Sequence, residues 1–315
     1  MENILEIKNL NLFFGENQAL YDVNLKLEGG KMHALVGESG CGKTMTAMSI
    51  MKLIPKTASI YSGEIFYHGE NLLDYSEKQM RELRGNKIAL IPQDPMTSLN
   101  PLYTVGNQLV ESIMVHRKVS KHHALRKARE VMDLVKIPDI DNRLKSYPHE
   151  FSGGMRQRII IAMALATNAE LFIADEPTTA LDVTIQKQIM DLLSEIKNEY
   201  NSTILLISHD LALVSNYADK ISVMYSGHIV EEADSSEFFR NPIHPYSIAL
   251  LNSLPTTNPA LKLKTIEGAP PSIKEKISGC KFHPRCELCN QEICAVQTPT
   301  LRETRPNHLQ ACLIK

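Results

Sequence analysis

Residues Gly37-Glu38-Ser39-Gly40-Cys41-Gly42-Lys43-Thr44 fit the spacing G-x-x-x-x-G-K-[ST]. In such a loop the glycines let backbone N–H groups converge on phosphate oxygens. Lys43 brings a point charge to the β/γ-phosphates, and the Thr44 hydroxyl can ligate Mg²⁺. A second constellation is the apolar run Leu171-Phe172-Ile173-Ala174 ending in Asp175-Glu176. It puts two carboxylates at the C-terminal edge of a buried strand, where ligands bind in open α/β sheets. Asp175 is suited to hold Mg²⁺ through water. Glu176, one residue on and turned elsewhere, is suited to orient or deprotonate an attacking water. Taken alone, the same residues also read as a strand end before an acidic helix cap. The third segment is Phe151-Ser152-Gly153-Gly154, whose glycines leave N–H groups uncovered at a helix start, a ready anion site. An ordinary serine N-cap is the plainer reading of that tripeptide. A second anion-binding helix about 110 residues after the first makes sense when two copies share nucleotides.

Apolar patterning supplies the elements that must position these groups. Ile4–Leu12 and Leu20–Leu27 alternate like half-exposed strands, and Met32–Val36 reads as a buried strand before the loop. Met45–Leu53 is an apolar helix after it. Ile60–Gly69 looks like a strand and turn, and Ile88–Pro92 a short buried strand ending in Gln93. Residues 105–135 turn helical and charged, and Gly153–Thr167 predicts another helix. Leu171–Ala174 and Thr203–Ile207, β-branched and apolar, flank a helix over Thr184–Lys197. That is the grammar of a parallel sheet covered by helices, so the fold class is α/β. A hairpin is expected from Ile221–Tyr225 and His228–Glu232 around Ser226-Gly227.

Prolines at 242, 245, 255, 259, 270 and 271 then break the pattern, which places a domain boundary near 240. Ordinary hydrophobic (43%) and charged (22%) fractions indicate a sizeable core, and the formal charge of −2 argues against a basic nucleic-acid surface. No apolar run reaches membrane-spanning length, and Met1-Glu2-Asn3 opens no signal peptide, so a cytosolic protein is expected. Five of six cysteines (Cys280, Cys286, Cys289, Cys294, Cys312) crowd the C-terminal end, which in a reducing compartment favours metal ligation over disulfides.

The run Phe151–Arg158, with Met155 where glutamine is usual, resembles the signature motif of ABC-type ATPases. That resemblance implies a P-loop NTPase: a RecA-like core with an antiparallel β subdomain and a helical subdomain at about 96–158, all within residues 1–240. It implies that Gln93 is the Q-loop residue that contacts Mg²⁺, that Ala180-Leu181-Asp182 is the D-loop, and that His209 is the switch histidine at the γ-phosphate. Phe14 would stack on adenine. ATP and Mg²⁺ are the implied cofactors. Two copies, or this chain and a second related ATPase, would sandwich each nucleotide between one subunit's phosphate loop and the other's Ser152–Gly154.

Residues 241–315 resemble the extension of ATPases serving dipeptide, oligopeptide and nickel importers, through Asn241-Pro242-Ile243-His244-Pro245-Tyr246, Glu267-Gly268-Ala269-Pro270-Pro271 and the segment Gly279–Cys286. The implied role is energising peptide import at the cytoplasmic membrane face. The partners would be two transmembrane permease subunits and, indirectly, an extracytoplasmic solute-binding protein. Nickel or metal-chelate import is the alternative; a soluble ABC ATPase outside transport fits less well, because only 114 residues separate Gly37 from Phe151. Some members of the branch hold an iron–sulfur cluster, so Cys280, Cys286, Cys294 and Cys312 are the expected ligands for [4Fe–4S] or Zn²⁺, with Cys289 competing for the third place and a reduced, metal-free packing cluster as the alternative. That cluster is expected to lie far from the phosphate loop.

Overall fold

The structure, a computed structural model, describes residues 2–167, 169–179, 181–254 and 265–314. Ala180 of the D-loop match, and Pro255 and Pro259, lie outside them. The chain forms two compact units, Met1–Leu73 with Ile207–Lys315, and Asp74–Leu206.

The first unit opens with β1 (Asn3–Phe14) and β2 (Asn17–Glu28), then β3 (Met32–Val36), α1 (Lys43–Ile50), β4 (Ala58–Tyr67) and β5 (Glu70–Asn71). Strands β2-β1-β4-β5 make an antiparallel sheet in that order. Its alternation is visible in β2, where Leu20, Val23, Leu25 and Leu27 are buried between exposed neighbours. All of β3 is buried, as suits a central strand, including His33, whose Nε2 pairs with Ser222 Oγ at 2.8 Å.

The second unit contains α2 (Glu77–Leu83), β6 (Ile88–Ile91), α3 (Pro95–Ser98), α4 (Val105–Arg117), α5 (Lys121–Leu134), α6 (Ile140–Arg143), α7 (Gly153–Leu165), β7 (Leu171–Asp175), α8 (Val183–Tyr200) and most of β8 (Thr203–Ser208), whose last two residues fall in the first unit. Strand β7 lies between β6, to which it is parallel, and β8. Helices α4, α5 and α7 pack on one another. The helical stretch at 105–135 is thus two helices. Lys118, at φ +50°, ends α4 in the left-handed region without a glycine or proline to announce it, and Ser120 caps α5.

The chain returns to the first unit through α9 (Leu211–Val214), β9 (Lys220–Tyr225), β10 (His228–Asp234), α10 (Ser235–Arg240), α11 (Pro245–Asn252), α12 (Gln291–Cys294), β11 (Arg302–Arg305) and β12 (His308–Gln310). Strand β9 runs parallel to β3, and β9–β10 form the expected hairpin, with positive φ at both Ser226 and Gly227. Strand β12 pairs antiparallel with β10, and β11 antiparallel with β12, pairings the sequence pattern does not announce. The fully buried Glu231 on β10 anchors the later segments. Its carboxylate accepts the N–H groups of Ile243 and His244, each at 2.9 Å, and meets His308 Nε2 at 2.7 Å.

Candidate nucleotide-binding site

In the first unit, the loop from Gly37 to Gly42 joins the C-terminal end of β3 to α1. Gly37 has φ +152° and lies so close to Met224 that a Cβ there would sit 2.1 Å from its carbonyl oxygen. Gly42, at φ +112°, would drive a Cβ to 2.8 Å from Leu20 Cδ2. The loop is therefore threaded against β2 and β9, with Ser39 and Gly40 exposed at its tip. Cys41 is buried beside it; its carbonyl accepts the Gly227 N–H at 2.8 Å, and burial pushes its thiol pKa up.

Lys43, also buried, points its ammonium back along the loop, donating to the carbonyls of Gly37 (2.8 Å) and Glu38 (3.0 Å). Thr44 follows in the first turn of α1. Glycine-lined backbone, an inward ammonium and a hydroxyl at a helix start form a donor set that fits a nucleotide triphosphate with its Mg²⁺. In the same unit, Phe14 ends β1 half-buried, opposite Asn17 and Ala58. His209 follows β8 and is exposed, next to Asp210, whose carboxylate caps α9 by accepting the Leu213 N–H at 2.9 Å.

One partner of the loop was not foreseen. The Glu38 carboxylate meets Arg285, from the cysteine-rich segment, in a bidentate pair at 2.7 and 3.0 Å. The Glu38 N–H donates to the Tyr246 hydroxyl at 3.0 Å. The expectation that the cysteine-rich tail lies far from the phosphate loop is thereby corrected. An acidic residue inside a phosphate-binding loop, which needs a cation to neutralise it, was the available signal.

In the second unit, Asp175 is buried at the end of β7, and Glu176 has a left-handed backbone at φ +46°. Gln93, just beyond β6, donates through Nε2 to Glu176 Oε2 at 2.9 Å, and Thr179 Oγ1 donates to the same oxygen at 3.0 Å. Two residues 83 positions apart in sequence are so brought together.

Ser152 is the N-cap of α7, its hydroxyl accepting the Met155 N–H at 3.4 Å. Gly153 faces Leu181, and Gly154 faces α8 so closely that a Cβ would reach 2.6 Å from Ile185 Cγ2. Asp182 caps α8, accepting the Ile185 N–H at 3.0 Å.

The arrangement of the C-terminal thiols lends no support to the expected four-ligand centre. Among the described residues no group of three or more His, Cys, Asp or Glu side chains is arranged to hold a metal ion. The five cysteines are neighbours, Cys294 lying close to Cys280, Cys286 and Cys312 as well as to Cys289. Burial raises the pKa of Cys280 to about 11, and it also pushes up Cys286 and Cys312.

Residues 20–179 match the family described as ABC transporter, and residues 230–294 match the oligopeptide/dipeptide transporter C-terminal region. A probable peptide ABC transporter ATP-binding protein of Sinorhizobium fredii is 48% identical, over 98% of this chain and 94% of the relative. The oligopeptide transport ATP-binding protein OppD of Escherichia coli is 45% identical, over 98% and 92%. Among solved structures, cbiO1 of Clostridium perfringens, part of a cbiONQ ABC transporter complex, superposes with a TM-score of 0.67 at 26% identity, over 76% of this chain and 92% of that one. The ATP-binding cassette MJ0796, in a dimeric post-hydrolysis state bound to ADP and Pi, gives 0.66 at 26% identity, over 73% and 98%. A phosphate loop, a carboxylate-ended strand, a signature helix and a matched C-terminal region thus occur in one chain, which belongs to the ATP-binding proteins of the oligopeptide/dipeptide branch of ABC transporters.

Proposed function

We infer that this chain hydrolyses ATP to energise the import of di- or oligopeptides, acting with two transmembrane permease subunits and a second ATPase or second copy. The main support is the pairing of a folded phosphate loop with a C-terminal region of the peptide-transporter type. No helix among the described residues is long and apolar enough to cross a membrane, so the membrane path belongs to other chains. The chain would dock on them at the cytoplasmic face.

Lys43 and the loop N–H groups would hold the β/γ-phosphates, and Phe14 the adenine. Thr44, Asp175 and Gln93 would hold Mg²⁺, which when bound neutralises phosphate charge. Glu176, oriented by Gln93, accepts the proton of a water whose oxygen bonds to the γ-phosphorus as the bond to the bridging oxygen breaks. His209 stabilises the γ-phosphate, and the partner's counterparts of Ser152, Gly153, Gly154 and Asp182 close the site.

The substrate class is tested in cells lacking the gene. Uptake of labelled di- and oligopeptides should fall to background and return with the wild-type gene but not with Glu176→Gln. Loss of nickel uptake with normal peptide uptake would move the chain to the metal-importer branch.

A further inference from the structure

We propose that Arg285, from the cysteine-rich extension, is a positioning residue for ATP: it neutralises Glu38 and fixes the phosphate loop from behind. The inference rests on residues 37–44 being the ATP phosphate loop.

All five guanidinium N–H donors of Arg285 are used. Nε donates to the Glu267 carbonyl (3.0 Å). Nη1 reaches Glu38 Oε2 (2.7 Å) and the Tyr225 hydroxyl (3.3 Å), and Nη2 reaches Glu38 Oε1 (3.0 Å) and the Gly268 carbonyl (3.2 Å). Its side chain is only 7% exposed. A planar fork with every donor satisfied is rigid, and lysine cannot reproduce it. The pair with Glu38 raises the arginine's already high pKa further, so the cation is permanent.

The support beneath it comes from three distant parts of the chain. Tyr225 ends β9, Tyr246 lies in α11, and Phe282 precedes Arg285. Their rings pack mutually, with centroids 4.6 to 5.2 Å apart. The turn carrying Arg285 is closed by His283 N–H to the Cys280 carbonyl (3.0 Å), and Cys280 N–H is fixed to the Cys294 carbonyl (2.8 Å). Glu38 is gripped at three points: its N–H by Tyr246, its carboxylate by Arg285 and its carbonyl by Lys43.

The electrostatic consequence has a definite sign. A glutamate in the loop repels a triphosphate unless a cation answers it, and a like charge a few ångströms away in a partly buried site is screened little. Arg285 answers it. Without the arginine, the carboxylate is left unpaired and can swing toward the phosphates.

The test is a double-mutant cycle on the full chain, reading ATP affinity by equilibrium titration together with KM and kcat, at low and raised salt, with Lys43→Ala as control. Arg285→Met should weaken ATP binding by about 10- to 100-fold, within the usual span of coupling between a binding site and a group outside it. It should raise KM more than it lowers kcat, and raised salt should reduce the loss only slightly. In the Glu38→Gln background the same Arg285→Met change should alter affinity by less than about threefold, because no carboxylate remains to be neutralised. Arg285→Lys should fall between, which keeps the test available if Arg285→Met folds poorly. An equal loss in both backgrounds would mean that Arg285 merely supports the fold, and the proposal fails. Wild-type affinity in Arg285→Met, beside lost binding in Lys43→Ala, also overturns it. Unchanged binding in Lys43→Ala overturns the phosphate-loop reading itself.

Discussion

The phosphate loop and the carboxylates after β7 are both built at the C-terminal ends of buried strands, yet they are fixed in different ways. Glu38 is tied to residues 208 and 247 positions later, through bonds that are partly buried. Glu176 is tied to Thr179 three residues away and to Gln93, through an exposed bond. A loop that must present converging N–H groups gains from a rigid frame, because any residual motion is lost entropy on binding. In its proposed role of general base, Glu176 must take up and release a proton, and the Gln93 amide and Thr179 hydroxyl restrain it at one oxygen. On the proposed roles, the first arrangement serves binding and the second leaves room for a chemical step.

The contrast is tested most strongly at Glu176. Glu176→Gln should keep the Gln93 contact and ATP affinity while turnover falls by about 10²- to 10⁴-fold, the span associated with a lost general base. A steady-state ATPase rate close to wild type would remove Glu176 from that role.

Gln93→Ala should have a smaller effect. Glu176 keeps its charge and its Thr179 contact but loses the 2.9 Å bond that sets its direction. Turnover should fall about tenfold, a typical loss for a loosened rather than missing group, with ATP affinity within threefold of wild type. Equal losses in Gln93→Ala and Glu176→Gln would show that the two act as one unit.

Acid should separate the units. The histidines whose pKa is driven down to about 4, His33, His228 and His244, all belong to the first unit, and burial is the main cause for each. A folded-state pKa below the ordinary 6.5 means that the unfolded chain binds more protons between those values. The stability these residues carry is present above pH 6.5 and lost as pH falls toward 4, at about 3 kcal/mol each by the end. His244 is informative because its Nδ1 caps α11 by accepting the Tyr246 N–H at 3.1 Å, which protonation abolishes. His244→Asn keeps an acceptor there and cannot titrate. Its thermal midpoint should therefore decline less than that of wild type between pH 6.5 and 4.5. Parallel declines would mean that His244 is not part of the acid response.

What was legible in the sequence follows the same division between local and distant determinants. The strand Met32–Val36, the loop after it, the run into Asp175 and the Ser226-Gly227 hairpin were readable because apolar runs and turn residues act on their neighbours. The break after Arg117 was hidden because Lys118 takes a conformation that its residue type does not advertise. Strands β11 and β12 were hidden because segments of four and three residues carry too little pattern, and β10 supplies their pairing partner. The bond from Arg285 to Glu38 was hidden for a related reason: only the folded chain makes them neighbours. The crowding of the cysteines in sequence is matched by crowding in space, while no metal-holding group is arranged among the described residues.

The smallest effect concerns Ser152, where one hydroxyl admits two roles. In this chain it is an N-cap, and Ser152→Ala should cost roughly 1 kcal/mol of stability through the exposed start of α7. Glycine at an N-cap costs only a few tenths of a kcal/mol, so Ser152→Gly should melt close to wild type. The pair of variants therefore separates capping from nucleotide contact. If the hydroxyl only caps, ATPase activity should follow stability, with glycine near wild type and alanine reduced. If it also reaches the nucleotide held by a partner, both variants lose the same contact, and hydrolysis should fall alike in each while ATP affinity of the isolated chain is kept. The shared-site reading expects the second result. Full activity in Ser152→Gly would leave the hydroxyl with a structural role alone and shift the anion contact to the backbone N–H groups of Gly153 and Gly154.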